Sequence, residues 1–366
     1  MQWTTQDIEW MSQALRQAAL GLYSTSPNPH VGCVIVKDGQ LVGAGAHLKA
    51  GEPHAEVHAL RQAGSQARGA TAYVTLEPCS HYGRTPPCAH ALVEAGVSRV
   101  LVAMQDPNPL VAGKGIAYLQ AHGVEVSAGL LESQAQALNP GFVLRMTQQR
   151  PYVRLKVAAS LDGRTALANG VSQWITSAAA RRDVHHWRAR SCAMLTGIGT
   201  VLHDDPSLTV RDVASTRQPL RVIVDSQLRM PLTAKVLQQG HALIAYAAAS
   251  TPAAQEKLAR LQALGVQTVA LPNGAGQVDI TALLHTLAQQ QINEVMVEAG
   301  AVLNGPMLQT GLVDELLLYY APKLMGSAGL GMFALPDYTA MSQSLALNIV
   351  DVRHFEQDIR IQASLR

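Results

Sequence analysis

His54, Glu56, Cys79 and Cys88 are the residues of this 366-residue chain whose types and spacing most clearly allow chemistry. They stand in His54-Ala55-Glu56, Pro78-Cys79 and a later Cys88. One imidazole and two thiolates make three protein ligands, the number a hydrolytic zinc site uses while leaving its fourth position to water. Zinc so held lowers the pKa of water to about 7, which makes hydroxide available at neutral pH. Glu56 has the wrong spacing for a fourth ligand but suits a proton shuttle. Residues i and i+2 diverge by roughly 200° on a regular helix. His54 and Glu56 can therefore face one metal only if a helix is just beginning there, and Pro53 is consistent with that start. The competing reading is a structural zinc site, which would take a fourth ligand from His81 or another nearby histidine.

Other polar positions carry weaker signals. Asn28 in SPNPH, and Asp106 and Asn108 in QDPNP, lie in Asn/Asp-Pro turns, and turn chemistry alone accounts for those residue types. Cys33 and Cys192 lie in apolar runs (VGCVIV and CAMLTG) and read as core thiols rather than disulfide partners. In the second half no GxGxxG follows a strand, so a standard dinucleotide fingerprint is not indicated. VMVEAGAVLNGPML does run from an apolar strand through Gly300 into a helix start. Small residues there let backbone N–H groups approach a pyrophosphate, although strand-Gly-helix joints are also common for structural reasons.

These residues need elements to hold them. Ile8, Met11, Leu15, Ala18, Ala19 and Leu22 recur at helical spacing, and Thr4 with Asp7 can form a capping box. VGCVIVKDGQLVGAGAH is two apolar runs joined by Asp38-Gly39, a strong hairpin signal. The expected order continues with helix 54–63, strand 71–76, helix 89–95, strand 99–104, helix 114–122 and strand 124–127. The stretch NPGFVLRMTQQRPYV around 139–153 interrupts the pattern and is the boundary candidate, giving domains at 1–146 and 147–366. A second series follows: strand 152–159, helix 177–190, strands 193–197, 220–225 and 242–247, helix 253–264, strand 266–271, helix 279–290, strand 294–298, helix 302–310, and strands 315–321 and 358–364. Both halves are α/β, with a mixed sheet covered by helices expected in the first.

Bulk properties limit the function classes. The hydrophobic fraction is 48%, the charged fraction 15% and the formal net charge +2. Residues 1–145 carry nine basic and ten acidic side chains, so neither half has the basic excess of a nucleic-acid binder. A small substrate is expected instead of a polymer. No basic-then-apolar leader opens the chain, and apolar runs such as Ala242–Ala249 fall short of the roughly 18–20 residues that span a bilayer. The cytoplasm is the expected location, with no membrane partner; whether the chain forms a homo-oligomer stays open.

The arrangement H-x-E…P-C marks zinc nucleobase deaminases, but eight residues (SHYGRTPP) separate Cys79 from Cys88 where the common motif has two. With HAEVHAL, TLEPCSHYGRTPPC and QDPNPLVAGKG present in order, the first half resembles the bacterial riboflavin-specific deaminases. KVAASLDGRTA, SQWITS, TGIGTVLHDDPSLTVR, VIVDS and VEAGAVLNG resemble the reductase domain of the same bifunctional deaminase/reductase family, so the likeness covers essentially the whole chain.

The resemblance implies an N-terminal cytidine-deaminase-like α/β/α sandwich followed by a C-terminal dihydrofolate-reductase-like α/β domain. It implies one Zn²⁺ per chain, NADPH, and a pyrimidine nucleotide that is first deaminated and then reduced from ribosyl to ribityl. Asn28, His47, His81, Arg84, Asp106 and Asn108 would line the deaminase pocket, Arg84 being apt for phosphate. In the reductase, Ala158, Trp174, Thr200, Asp204, Ser226 and the loop Gly300, Ala301, Val302, Leu303, Asn304, Gly305, Pro306 would contact the cofactor. Ser172, Arg188, Leu208, Arg211 and Glu298 would contact the substrate. Lys156 and Asp204 form the polar pair near the ribose carbon, and Arg188 and Arg211 suit its 5′-phosphate. Read from residue type alone, Arg188 could equally solvate a helix face, and Trp174 could be a core aromatic. Two other functions remain open from the residues: a deaminase of another base fused to a regulatory nucleotide-binding domain, and a zinc-stabilised binding protein without activity.

Overall fold

The computed structural model describes residues 3–80, 87–238 and 240–365. The expected pocket residues His81 and Arg84 lie outside them. The chain divides into two units, Met1–Gln149 and Arg150–Arg366.

In the first unit α1 (Thr5–Ala19) opens on the expected capping box, with the Thr4 and Asp7 side chains each bonding the other's backbone N–H. β1 (Gly32–Lys37) and β2 (Gln40–Ala46) form the hairpin, with φ of 48° at Asp38 and 75° at Gly39 as a two-residue turn of this hand requires. There follow α2 (Ala55–Ala63), β3 (Thr71–Leu76), α3 (Cys88–Glu94), β4 (Arg99–Met104), α4 (Lys114–Ala121), β5 (Glu125–Ala128), α5 (Glu132–Leu138) and α6 (Pro140–Gln148). The sheet order is β2-β1-β3-β4-β5. β1 is antiparallel to β2 and to β3, whereas β3, β4 and β5 run parallel. The carboxyl ends of β3 and β4 therefore open on one rim, where α/β sheets place their sites.

The division between the two units, after Gln149, falls inside the 139–153 stretch. Most of it is α6, with Pro140 in the first turn, where its missing N–H costs nothing. Gly141 and Phe142 are buried, and Asn139 exchanges hydrogen bonds with the backbone of His30.

The second unit runs β6 (Tyr152–Ser160), β7 (Arg164–Ala166), α7 (Ala178–Arg190), β8 (Ala193–Gly197), α8 (Ile198–Asp204), β9 (Leu220–Val224), β10 (Ala242–Tyr246), α9 (Pro252–Ala263), β11 (Gln267–Ala270), α10 (Ile280–Gln289), β12 (Glu294–Glu298), α11 (Ala301–Gln309), β13 (Glu315–Ala321), β14 (Leu330–Gly331), β15 (Leu347–Phe355) and β16 (Asp358–Leu365). The sheet order is β11-β10-β9-β8-β12-β6-β13-β16-β15, parallel from β11 through β13 and antiparallel beyond. Strand periodicity divides its side chains between two cores. Val153, Leu155, Val295, Val297, Leu316 and Leu318 join one. Met194, Ile223, Met296, Leu317 and Tyr319 join the other. Parallel strands buried on both faces read as continuous apolar runs, which is why they were legible. β15 was not: its side chains are mostly exposed, and it pairs only with β16 within its sheet.

Candidate functional sites

The first site lies at the carboxyl end of β3. His54 is the N-cap of α2, with φ −74° and ψ 167°. The helix thus begins at Ala55, which answers the divergence of i and i+2: His54 departs on extended backbone while Glu56 sits in the first turn. Cys79 follows β3 by a short turn, and Cys88 is the first residue of α3, capped by Pro87. Cys88 Sγ is 3.3 Å and Cys79 Sγ 3.7 Å from His54 Nδ1. All three ligand atoms lie within 4.8 Å of one another, and this is the metal-capable group of three or more His, Cys, Asp or Glu among the described residues. The Cys88 amide donates to Cys79 Sγ at 3.3 Å.

Glu56 is 3% exposed, and its Oε2 has no hydrogen-bond partner. A buried carboxylate oxygen left unmatched costs free energy unless something else engages it. Burial, with the nearby Cys79 charge, pushes the Glu56 carboxyl up to about 7. The hydrogen bond between the two cysteines favours the Cys79 thiolate and pushes the Cys88 thiol up. One imidazole, two sulfurs and an orphaned carboxylate oxygen fit a zinc ion with a neighbouring proton carrier.

His47 and Asn28 meet beside this group. Asn28 Nδ2 lies 3.1 Å from His47 Nε2, and His47 Nδ1 lies 3.2 Å from the Pro53 carbonyl. That pairing makes Nδ1 the donor and Nε2 the acceptor of a neutral ring. Burial lowers the His47 pKa, which keeps it in that form. Its ring stands edge-on to His54 with centroids 5.2 Å apart. Asp106 and Asn108 are turn formers: Asp106 Oδ1 accepts from the Asn108 amide at 2.8 Å, and Asn108 Oδ1 from the Leu110 amide at 3.1 Å.

The second site is a cavity of about 1600 Å³ in the second unit. It opens past the carboxyl ends of β8, β9 and β12 and along β6. Strand order changes direction among these strands, which is where such sheets bind ligands. Lys156, Ala158, Ser172, Trp174, Arg188, Thr200, Asp204, Leu208, Arg211, Ser226 and Glu298 all line it, as do Gly300, Ala301, Val302, Leu303 and Pro306. Asn304 and Gly305 do not. Asn304 is buried and donates to the Ala299 and Met332 carbonyls at 3.0 and 3.2 Å. A Cβ on Gly305 would stand 2.0 Å from the Ala334 carbonyl oxygen. Helical periodicity turns these two residues of the loop inward, so they hold it rather than face the cavity.

Charge in this cavity is unevenly committed. Arg188 grips Glu298 with two bonds of 2.6 and 2.9 Å and donates to the Thr209 carbonyl at 3.1 Å. It does not solvate a helix face, and its charge is already matched by Glu298. Arg211 is exposed. Lys156 Nζ stands 3.7 Å from Glu298 Oε2. Burial alone would raise Glu298, but Arg188 and Lys156 outweigh it and hold the carboxyl at about 2. Burial lowers Lys156, partly offset by Glu298. Trp174 is not a core aromatic: it is 65% exposed, with the Arg181 guanidinium 4.4 Å from its ring centroid. Gly300 caps α11 without a side-chain bond, so the first amides of that helix stay available to an anion. The cavity's size and that helix start fit a dinucleotide.

Two residues escaped the sequence reading. His185 lines the cavity, receives the Arg211 amide on Nδ1 at 3.3 Å and faces Asp212 across 3.3 Å. Its place one turn before Arg188 on a periodic helix was the available signal. Glu77, at the end of β3, accepts four backbone amides. An acid closing an apolar strand was the clue there.

Both units match families of known proteins. Residues 4–104 match the cytidine and deoxycytidylate deaminase zinc-binding region, and residues 151–361 match the RibD C-terminal domain. The chain is 50% identical to the riboflavin biosynthesis protein RibD of Escherichia coli over 97% of its own length and 98% of that protein's. It is 43% identical to RibD of Aquifex aeolicus, covering 97% of each chain. Among solved structures, Acinetobacter baumannii RibD superposes with TM-score 0.91 at 52% identity, covering 99% of both chains. A Thermotoga maritima diaminohydroxyphosphoribosylaminopyrimidine deaminase/5-amino-6-(5-phosphoribosylamino)uracil reductase does so with TM-score 0.86 at 32% identity, again covering 99% of both.

Proposed function

This chain belongs to the RibD family of bifunctional riboflavin-biosynthesis enzymes, a deaminase joined to a reductase, and from that premise we propose how its residues divide the work. Residues 1–146 carry deamination and 147–366 reduction. The first substrate is 2,5-diamino-6-ribosylamino-4(3H)-pyrimidinone 5′-phosphate, whose 2-amino group is exchanged for oxygen with release of ammonia. The second step reduces the ribosyl group of the deaminated nucleotide to ribityl.

His54, Cys79 and Cys88 would hold the zinc, which when bound supplies Lewis-acid activation of water. Glu56 takes one proton from the attacking water and gives it to the ring nitrogen, then carries the remaining hydroxyl proton to the amino group, which leaves as ammonia. Its burial suits both directions, because burial pushes a carboxyl up from its ordinary acidic range toward the pH at which it can both give and accept a proton. Neutral His47 and Asn28, with Asp106 and Asn108, contact the nucleotide in this reading, and His81 and Arg84 are assigned to it by the family resemblance alone.

In the reductase NADPH supplies the hydride when bound. Ala158, Trp174, Thr200, Ser226 and the α11 start cradle that cofactor. Lys156 and Asp204 flank the ribose carbon and steady the charge that changes there. Arg211 takes the 5′-phosphate, Ser172 and Leu208 contact the nucleotide, and Glu298 fixes Arg188 and Lys156 relative to each other. The cytoplasm is the proposed location, consistent with the finding that no helix among the described residues is long and apolar enough to cross a membrane. A small-molecule substrate without nucleic acid is proposed from the charge balance.

The observation that carries this reading is the convergence of His54, Cys79 and Cys88 beside an unpartnered Glu56 oxygen. Incubation with the diaminopyrimidine nucleotide should release ammonia without NADPH, and product mass should rise by two hydrogens only when NADPH is added. Reduction without deamination, or neither, would overturn it.

A further inference from the structure

Glu77 takes no part in either half-reaction, yet it is a buried carboxylate, 5% exposed, two residues before Cys79. Its Oε2 accepts from the amides of Asp106 and Gly113 at 3.2 and 2.9 Å. Its Oε1 accepts from Gly115 and Ile116 at 2.8 and 3.1 Å. These four donors bracket the 106–116 segment, which leaves β4 through the Asp106–Asn108 turn and enters α4. That helix starts at Gly113 without a side-chain cap of its own. The amides of its first turn need acceptors, and a negative charge is favoured at that end. Glu77 provides both from the neighbouring strand.

A second contact ties the same two pieces. Gly115 lies so close to Pro78 that a Cβ there would stand 1.9 Å from the Pro78 carbonyl oxygen. The dipeptide leading into Cys79 is therefore fastened to the 106–116 segment by its side chain at one residue and its backbone at the next.

We propose that Glu77 is a positioning residue of the deaminase. It locks the turn bearing Asp106 and Asn108 to the turn bearing Cys79, so that the pyrimidine nucleotide meets a preformed wall at a fixed offset from the reacting carbon. Only an acceptor-only group serves: glutamine would turn an NH₂ toward two of the four amides, and aspartate is one methylene too short to reach both pairs. The proposal rests on Asp106 and Asn108 lining the nucleotide pocket.

The test uses the full chain with Glu77→Gln, Glu77→Asp, Asp106→Ala and Asn108→Ala, scoring zinc content, melting temperature, and KM and kcat of each half-reaction. Glu77→Gln should keep zinc near one per chain and raise the deaminase KM about 10-fold or more, leaving the reductase KM unchanged. Glu77→Asp should fall between it and the unaltered chain. A lower melting temperature with an unchanged deaminase KM would mean Glu77 is structural only, and the proposal fails. If Asp106→Ala and Asn108→Ala leave KM unchanged too, the error lies in the pocket assignment; if they raise it while Glu77→Gln does not, it lies in the clamp. Should neither Glu77 variant fold, hydrogen exchange in the unaltered chain decides. Slow exchange at Gly113, Gly115 and Ile116 is expected, and fast exchange there would overturn the clamp.

Discussion

Glu56 as the proposed proton carrier and Cys79 as a proposed zinc ligand have different tasks, so substitutions should separate them. Glu56→Gln keeps the volume and the buried position but removes the group that carries the proton. Deamination should fall by roughly 10²–10⁴-fold, with zinc content near one per chain. Cys79→Ser replaces a soft thiolate by a weak ligand and should lose the metal itself, as metal analysis after gel filtration would show. If Glu56→Gln retains turnover, another group moves the proton. Zinc retained by Cys79→Ser would remove Cys79 from the ligand set.

At the scale of elements, the deaminase site depends on how closely α2 lies on β2. A Cβ on Gly45 would stand 2.1 Å from the Ala55 carbonyl oxygen and 2.7 Å from the Ala59 amide nitrogen. Ala55 adjoins both His54 and Glu56, so anything that lifts α2 moves the proposed ligand and the proposed proton carrier together. Gly45→Ala should cost about 1–3 kcal/mol by overpacking and weaken zinc binding in a chelator competition. An unchanged melting temperature with unchanged zinc affinity would show that the joint tolerates the methyl group. In the second unit α11 plays the comparable part: its start faces the cavity while Asn304 and Gly305 anchor it from behind.

For the whole molecule, the two sites draw on different units and different chemistry. Stripping zinc with a chelator should abolish ammonia release while NADPH oxidation with the already deaminated nucleotide continues; joint loss would contradict the division of labour. Acid should destabilise the second unit. Glu294, buried between Arg154 and Arg190, and Glu298, between Arg188 and Lys156, are both held at about 2 against an ordinary 4.5. Burial opposes this, and the surrounding cations outweigh it. In the unfolded chain these carboxylates take up protons near 4.5, in the folded chain only near 2. Their contribution is therefore complete above about pH 4.5 and is lost as pH falls toward 2. Urea midpoints measured from pH 6 to 3 should drop, and Glu294→Gln, although less stable at pH 6, should show a shallower drop.

What could be read from the residues alone was whatever depends on local pattern. The apolar runs of β3, β4, β8 and β12, the Asp38-Gly39 hairpin, the Thr4–Asp7 cap and the His-x-Glu, Pro-Cys and Cys set are all such patterns. Each is short-range, because turn geometry, strand periodicity and ligand chemistry are settled within a few neighbours. The 139–153 stretch shows both sides: its Pro and Gly residues are local signals of a break and the chain divides after Gln149, whereas Asn139 is held by the backbone of His30, far along the chain. The tertiary structure alone decided that Cys79 and Cys88 would converge on His54, whose place at a helix start Pro53 already suggested. It also decided that Arg188 would give its charge to Glu298, that Asn304 would turn inward, and that Glu77 would gather amides from 29 to 39 positions away. Those outcomes rest on which distant groups meet in a water-poor interior, where an unmatched charge or amide is costly and its partner can come from anywhere in the fold.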